Sequence, residues 1–415
     1  MLSRRGQLNA DQLDIPWRFA HSTTYDRDSN PEGLISFATA ENILIQKELE
    51  DFANSRVHFP GASFGYGYST AGGGPKFPSV LANHVNNYFN PYTPITGSDI
   101  KITSAATALH EILGFALADP GQGILTSRPV YGRFELDFGN KAGLKMVYAD
   151  TYAESCFETG VVDKLEEALI RSHTEDVEIK ALLIVNPNNP LGRCYPKPTL
   201  IALMKFCQKH QIHFISDEVY GLSVFDTDEP NAIPFTSALS IDPSGILDQN
   251  LLHVTYALSK DFGAPGLRLG ALITKNEQLK KSLLGIIRFH SPSGASIAIA
   301  TAMLTDGEWC RSFLSKSRQC IADAYKFTTS RLRRMGVRYL EGGNAGFFVY
   351  IDLSSYLPLE SEGLSDRERE FKLAQELVDA GIFLHPGEEH GLKLGWFRMV
   401  YTAVERQVLE EGLRR

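Results

Sequence analysis

Lys260 is the residue whose type and position in this sequence point most directly to chemistry. An apolar run at 251–256 precedes it and glycine and proline follow it at 263–266, so we predict a buried strand ending in a loop that carries the lysine. Burial lowers the pKa of a lysine and frees its amine to attack a carbonyl. Arg268 lies close behind in the sequence, and its guanidinium suits a phosphate or carboxylate. This pair suggests a Schiff base to a phosphorylated aldehyde, with a structural ion pair as the alternative.

The composition excludes several classes of protein. The chain has 415 residues, 43% of them apolar, which is enough for a large core and two domains. A net charge of −8 argues against nucleic acid as a partner and against a polybasic membrane anchor. No apolar run reaches the roughly 18 residues that cross a bilayer, and the first residues lack the apolar stretch of a secretory signal. Five scattered cysteines without a Cys-x-x-Cys pair predict no metal site and no disulfides, and they favour the cytoplasm.

Strands and helices alternate through the middle of the chain, from about residue 95 to residue 300. Apolar strands are predicted at 181–185, 212–215 and 251–256, and a helical face at 200–207 separates the first two. Such alternation indicates an α/β fold with a mostly parallel sheet and helices on both faces. In these sheets the ligand binds beyond the carboxyl ends of the strands.

The C-terminal part has a different pattern. Ser365 and Glu368 have the spacing of a capping box, so they predict a helix that ends before Gly381. Short strands are predicted at 351–353 and 396–400. We therefore predict two domains: a large one at 59–300 and a smaller α+β domain made of 1–58 and 301–415.

Two further strand ends carry unusual polar groups. Two Asn-Pro steps at 186–190 indicate a rigid, non-helical loop in which one peptide bond could be cis. Asp217 directly follows an apolar strand, and a buried carboxylate needs a cation or a hydrogen bond. A protonated pyridine nitrogen would supply that cation. The structural alternative is an Asp217 that caps the N-terminus of a following helix.

Several motifs, taken in order, resemble one family. Five polar residues follow successive strands: Asn189, Asp217, Tyr220, Lys260 and Arg268. This order is similar to that of the fold-type I enzymes that use pyridoxal phosphate (PLP), the aspartate aminotransferase-like group. More closely, nearly the whole chain resembles 1-aminocyclopropane-1-carboxylate (ACC) synthase and its fungal relatives. Three segments match that family's N-terminal signature, phosphate-binding turn and carboxylate-binding segment: 30–42, 103–111 and 395–398.

The resemblance implies roles at the cofactor. Lys260 would hold PLP covalently and shuttle the Cα proton of the substrate. Asp217 would pair with the pyridinium nitrogen, while Asn189 and Tyr220 would donate hydrogen bonds to the phenolic oxygen. Tyr131 would stack on the ring, although an ordinary buried aromatic is the alternative. The phosphate would be bound by backbone N–H groups at a helix start and by two side chains, from Ala106, Thr107, Ser259 and Arg268.

The resemblance also implies how an α-amino acid substrate binds. Arg398 would bind its α-carboxylate bidentately. Tyr66 or Tyr68 would reach the active site of a partner subunit, so a homodimer with shared active sites is expected. Glu41 corresponds to a family glutamate and favours the ACC-synthase-like branch, with a solvated carboxylate at a helix start as the alternative.

The sequence departs from the family at three places. Ala257 stands where many relatives have a serine that contacts the phosphate, and Ala105 stands where the phosphate turn usually begins with glycine. Glu388 and Glu389 replace small residues near the expected substrate entrance. These carboxylates would either attract a cationic substrate, such as a sulfonium, or remain solvated.

Three functions follow from these observations. The first is an ACC-synthase-like lyase that deprotonates Cα of an amino acid and expels a sulfur leaving group. The second is an aminotransferase of a biosynthetic, secondary-metabolite pathway. The third is a non-catalytic PLP-binding regulator, which the acidic charge and the few residues before the N-terminal signature disfavour.

Overall fold

The computed structural model describes residues 1–14, 24–68, 73–360, 363–387, 390–391 and 393–415. Its α-helices are α1 (Arg4–Asp11), α2 (Gln46–Arg56), α3 (Phe77–Tyr88), α4 (Ala105–Leu117), α5 (Phe134–Gly139), α6 (Val161–Thr174), α7 (Lys197–His210), α8 (Leu258–Asp261), α9 (Glu277–Ile286), α10 (Gly294–Thr305), α11 (Gly307–Met335), α12 (Asp366–Asp379) and α13 (Arg406–Arg414). Its strands are β1 (Ile35–Ser36), β2 (Ile100–Thr103), β3 (Gly123–Ser127), β4 (Lys145–Ala149), β5 (Ile179–Val185), β6 (His213–Asp217), β7 (Leu252–Ala257), β8 (Gly270–Thr274), β9 (Arg338–Tyr339), β10 (Phe348–Asp352), β11 (Ile382–Phe383) and β12 (Trp396–Val400). Glu388 and Glu389 lie outside the described residues.

A seven-stranded sheet organises the larger part of the chain, in the order β2-β8-β7-β6-β5-β3-β4. Neighbouring strands from β4 to β7 pair in parallel, whereas β8 is antiparallel to both β7 and β2. Apolar side chains from both faces of the sheet are buried under the helices. The prediction of an α/β fold with a mostly parallel sheet is therefore confirmed.

The ends of two strands differ from the predictions in detail. Asp217 is the last residue of β6 rather than the residue after it. Lys260 does not lie in a loop, because the chain turns directly from β7 into the one-turn helix α8. Gly263 adopts a positive φ of 56° and Pro265 follows, which is why the helix continues no further.

A second, smaller sheet lies in the C-terminal part, with β10 pairing antiparallel to both β12 and β9. The N-terminal strand β1 pairs in parallel with β11, so the chain's two ends come together. At the start of α12, Ser365 Oγ accepts from the N–H of Glu368 at 3.3 Å, and the Glu368 carboxylate accepts from the N–H of Ser365 at 2.8 Å. This is the predicted capping box. The domain boundary predicted at residue 300 falls inside α10.

Two negative findings apply to the described ranges. None of their helices is long and apolar enough to cross a membrane. They also contain no group of three or more histidine, cysteine, aspartate or glutamate side chains that could hold a metal ion. All five cysteines are free thiols.

Candidate active site

Lys260 lies where the two parts of the chain meet. Its Nζ donates to the carbonyl of Ala40 at 2.6 Å and lies 5.8 Å from the ring centroid of Tyr220. Burial and the nearby Arg398 guanidinium lower the pKa of Lys260 to about 8, although the negative charge of Glu41 opposes this shift. An appreciable fraction of the amine is therefore neutral, and nucleophilic, near neutral pH.

Asp261 fixes the short helix that carries the lysine. Its carboxylate is buried and accepts from the N–H of Leu222 at 3.0 Å and from Ser223 Oγ at 2.6 Å. Burial raises the pKa of Asp261 to about 7. These two hydrogen bonds join α8 to the turn that follows Tyr220, so they set Lys260 against that tyrosine.

Asp217 is buried at the carboxyl end of β6, with 5% of its surface exposed. Its Oδ1 accepts from Thr255 Oγ1 on the neighbouring strand β7 at 3.0 Å. Its Oδ2 lies 3.5 Å from Nε2 of His110, an ion-pair distance rather than a short hydrogen bond. The chain continues from Asp217 into a turn and no described helix begins there, so the helix-cap alternative is wrong.

Arg398 and Asn189 connect the small sheet to the large one. Arg398 lies on β12, 5% exposed, and its Nη1 donates to Asn189 Oδ1 at 2.9 Å while Nη2 donates to the carbonyl of Ala38 at 2.5 Å. The Nε of Arg398 is buried without a hydrogen-bond partner in the described structure. Both Asn-Pro steps of the loop after β5 are cis, including the one that follows Asn189.

Two tyrosines lie beside this group. Tyr220 is buried between the rings of Phe347 and Phe348, each met edge-on at 5.4 Å, and burial raises the pKa of its hydroxyl. Tyr131 is half-buried and meets Phe134 edge-on at 5.2 Å. Aromatic side chains thus form apolar walls around the polar centre.

The first turn of α4 presents unused backbone donors. Ala106 and Thr107 lie in this turn, and no side chain caps it. Ala105 adopts a φ of 75°, a conformation that favours glycine. Gly270 lies opposite, where an added Cβ would come within 2.8 Å of the Ala105 Cα. A 13-residue helix with open N–H groups at its start is suited to an anion.

The other two predicted phosphate ligands, Ser259 and Arg268, differ in their exposure. Ser259 is buried on α8. Arg268 is exposed, and its Nη1 donates to the carbonyl of Pro265 at 3.1 Å, so the guanidinium is held against its own loop in this structure.

The predicted substrate-binding residues Glu41, Tyr66 and Tyr68 also differ in their burial. Glu41 is partly buried and acts electrostatically on Lys260. The next helix, α2, begins only at Gln46, so the helix-start alternative for Glu41 is wrong. Tyr66 is 94% exposed and can reach outward, whereas Tyr68 packs against the core of its own chain.

His110 and Asp137 are buried residues of this centre that the sequence did not predict. His110, on α4, lies with Nδ1 2.9 Å from Asp137 Oδ2 and with Nε2 facing Asp217. Burial lowers the pKa of His110, but its hydrogen bond to Asp137 and the nearby charge of Asp217 prevail and raise it to about 9. The available signal was a histidine within the mostly apolar stretch 108–117.

The site as a whole fits one type of cofactor. A nucleophilic lysine, a buried carboxylate and an open helix N-terminus suit an aldehyde, a ring nitrogen that carries a proton, and a phosphate. PLP has these three groups, and an arginine remains for the carboxylate of an amino acid.

Comparison with known proteins agrees with this geometry. The family model "Aminotransferase class I and II" matches residues 66–415. The 1-aminocyclopropane-1-carboxylate synthase of Glycine max is 29% identical over 412 residues, covering 96% of this chain and 83% of that protein. The probable aminotransferase aclI of Aspergillus oryzae is 30% identical and covers 100% of this chain and 96% of its own length.

The fold is shared with solved structures. A double mutant of Thermus thermophilus aspartate aminotransferase superposes with a TM-score of 0.74 at 20% identity, covering 100% of this chain and 98% of that one. The fold is thus that of the fold-type I aminotransferases. The chain belongs to the class I and II aminotransferases, a family of PLP-dependent enzymes, and within it is related to ACC synthase.

Proposed function

We propose that this protein is a PLP-dependent lyase that acts on an α-amino acid and expels a sulfur leaving group, as in the conversion of S-adenosylmethionine to ACC. The observation that carries this choice is the position of Glu41, which directly follows Ala40, the residue whose carbonyl accepts from Lys260 Nζ at 2.6 Å. A carboxylate beside the reacting centre attracts a cationic sulfonium, which a simple amino-group exchange does not require.

Lys260 is the residue that would hold the cofactor and move the Cα proton. When bound, PLP supplies a carbonyl for the amino group and a ring that accepts charge from Cα. The Lys260 pKa of about 8 suits an amine that takes up and returns a proton near neutral pH. Asp217 would hold a proton at the ring nitrogen, and Asn189 and Tyr220 would bind the phenolic oxygen.

The remaining residues would orient the two ligands. Arg398 presents a buried guanidinium whose unpartnered Nε marks unused capacity for a carboxylate. Ala106 and Thr107 would donate their N–H groups to the phosphate, with Ser259 and Arg268 beside it. Tyr131 would stack on the ring. For Arg268 this role requires its guanidinium to leave the Pro265 carbonyl.

We also propose a cytoplasmic homodimer with shared active sites. Two large apolar side chains of the segment that carries Tyr66 are exposed, Phe59 at 46% and Phe64 at 79%. Exposed apolar side chains of this kind are suited to burial against a second copy. Tyr66 would then reach the partner's active site, since Tyr68 is held in its own core.

An aminotransferase is the second candidate. Its support is the Aspergillus oryzae relative, which is named a probable aminotransferase and matches this chain from end to end. The positions of Lys260, Asp217 and Arg398 suit the lyase and the aminotransferase reactions equally, because both begin with removal of the Cα proton.

Product analysis distinguishes the candidates. Purified enzyme is incubated with S-adenosylmethionine, with cysteine conjugates, or with glutamate and a 2-oxo acid. ACC with methylthioadenosine, or a thiol released from a conjugate, supports the lyase. Glutamate-dependent conversion of the oxo acid, with no sulfur product, would overturn it in favour of the aminotransferase.

A matched pair of variants tests the role of the carboxylate. Glu41→Gln should slow release of the sulfur product by at least about tenfold, the usual scale for a charge at a reacting centre. Glu50→Gln removes an exposed carboxylate on α2 and should have no effect. Equal rates in both variants would show that Glu41 is only a solvated acid.

A further inference from the structure

His110 is a buried residue of the candidate site whose ring faces Asp217. It is 2% exposed, and its ring lies between two buried carboxylates. Nδ1 lies 2.9 Å from Asp137 Oδ2, and Nε2 lies 3.5 Å from Asp217 Oδ2. The rings of Phe134 and Phe138 enclose it at 5.1 and 5.6 Å.

Three separate elements meet at this ring. His110 lies in the second turn of α4, whose first turn carries the open N–H groups. Asp137 lies on α5, and Asp217 ends β6. The residues that would receive the phosphate and the ring nitrogen are thereby joined by a single side chain.

The two neighbouring carboxylates determine the protonation state of His110. Two buried carboxylates in an apolar enclosure would repel each other and remain uncompensated without a cation between them. Burial lowers the pKa of His110, but the hydrogen bond to Asp137 and the nearby charge of Asp217 prevail and raise it to about 9, so the imidazolium is favoured at neutral pH. Among the described residues, these two carboxylates are the titratable groups that face the ring.

We propose that His110, anchored by Asp137, is a positioning residue that holds the Asp217 carboxylate as an anion aimed at the ring nitrogen of the cofactor. Thr255 fixes one oxygen of Asp217 and His110 faces the other, so the carboxylate is restrained from two sides. The inference rests on the proposed use of PLP. It adds that three side chains, Asp137, His110 and Asp217, together control the charge at the ring nitrogen.

This arrangement of three side chains would matter because it affects where one proton lies, on the ring nitrogen or on Asp217. A cation behind Asp217 would attract its negative charge and so favour a proton on the ring nitrogen rather than on the carboxylate. Without that cation, the ring would withdraw less charge from Cα. His110 would therefore affect proton removal at Cα more than cofactor affinity.

Three variants separate charge from packing. His110→Phe removes the cation but keeps a ring of similar size, and Asp137→Asn removes the anchor's charge but keeps a polar group of the same shape. Phe138→Leu disturbs the packing on the imidazole and leaves all three charges in place.

The first measurement needs no cofactor. NMR titration of His110 in the apoprotein, assigned by the loss of its signal in His110→Phe, should show an imidazolium that persists through neutral pH and loses its proton near pH 9. Asp137→Asn should lower that midpoint. A His110 already neutral at pH 7 in the wild-type protein would overturn the inference whatever the enzyme does.

The second measurement uses the PLP-loaded protein. Exchange of the substrate Cα hydrogen for deuterium should slow about 10- to 100-fold in His110→Phe and Asp137→Asn, the usual effect of removing a group that orients a functional side chain. The dissociation constant for PLP should change less than the exchange rate, and Phe138→Leu should exchange at close to the wild-type rate.

The possible outcomes distinguish failure of the proposed function from failure of the proposed role of His110. If wild-type protein takes up no PLP, the proposed function itself fails. If it takes up PLP on Lys260 but His110→Phe and Asp137→Asn exchange as fast as wild type, only the role of His110 is overturned. Equal slowing in Phe138→Leu would also overturn it, because packing alone would then account for the effect.

Discussion

At the scale of single residues, the chemistry depends on the burial of Lys260 and on the charges near it. Its amine is desolvated and faces the Arg398 guanidinium, and both effects favour the neutral form over the influence of Glu41. The result is an amine that is reactive in the pH range where most lysines are fully protonated. Arg398 would therefore act on both the substrate carboxylate and the lysine.

The pH dependence of cofactor capture tests the state of Lys260. Since the pKa of Lys260 is lowered to about 8, the neutral fraction rises as the pH passes 8 and then levels off. Stopped-flow measurement of PLP uptake by the apoprotein should show this midpoint. Arg398→Gln should move the midpoint upward, because a neighbouring cation is lost. A rate that keeps rising to about pH 10, as for an ordinary lysine, would contradict the assignment.

Arg398→Lys tests recognition of the substrate carboxylate. A lysine keeps the charge but cannot form two parallel hydrogen bonds, so kcat/KM should fall by about 10- to 100-fold. The effect should appear mainly in KM. Arg338→Lys is the matched control, an exposed arginine of the same small sheet that pairs with Asp352. If both variants behave alike, Arg398 does not bind the carboxylate.

Single residues were predictable where a local pattern marks them. Lys260 and Asp217 stand at the ends of apolar strands, and the sequence alone singles out both. His110 was not predictable in this way, because its role arises from carboxylates on α5 and β6, and its contact with Asp217 spans more than a hundred residues of sequence. No local spacing encodes such a contact.

At the scale of elements, the junction of α4 with β8 holds a strained backbone conformation. Ala105 is held at a φ of 75°, and Gly270 opposite leaves no room for a side chain. An L-residue in the left-handed region costs roughly 1–2 kcal/mol. The turn that would bind the phosphate is therefore kept in place by its packing against β8.

Substitutions on the two sides of this junction should act in opposite directions. Ala105→Gly should stabilise the protein by about 0.5–1 kcal/mol, because it relieves the strained φ. Gly270→Ala should destabilise it by about 1–3 kcal/mol and weaken PLP binding, since the new Cβ displaces the turn. Urea unfolding and PLP titration measure both effects.

The control for this pair is Gly285→Ala on α9. An added Cβ there meets no atom within 4 Å, so the variant should fold at least as stably as the wild type and bind PLP normally. If Gly270→Ala leaves both stability and PLP affinity unchanged, the junction does not shape the phosphate turn.

The elements themselves were largely predictable. The long periodic segments and the capping box of α12 appear at the expected places, because their patterns extend over several turns or strand positions. The helix α8 was predicted as a loop. One turn shows no periodicity, and its geometry is fixed by contacts with residues distant in sequence, such as the hydrogen bonds that Asp261 accepts from Leu222 and Ser223.

At the scale of the whole molecule, the site is assembled from distant parts of the chain. Ala40 near the N-terminus accepts from Lys260, and Arg398 near the C-terminus donates to Asn189. The pairing of β1 with β11 brings those two ends together. The division between domains is harder to predict from the sequence, because α10 runs across the predicted boundary at residue 300 with no break in composition.

Subunit complementation tests the proposed dimer. Lys260→Ala and Tyr66→Ala should each be inactive or impaired, and a refolded mixture should regain about a quarter of wild-type activity, since half of the dimers are mixed and each holds one intact site. Tyr356→Ala, at another exposed tyrosine, should not impair the enzyme and serves as the control. A monomer in sedimentation, or a mixture that recovers nothing, would contradict shared active sites.

The central claim is that Lys260 carries PLP. Borohydride reduction of the PLP-loaded protein, followed by proteolysis and mass spectrometry, locates the attachment directly. We expect the visible absorption to disappear on reduction. A phosphopyridoxyl group should then be found on the peptide that contains Lys260, and Lys260→Ala should carry no such adduct. A protein that takes up no PLP, or an adduct on a different lysine, would contradict it.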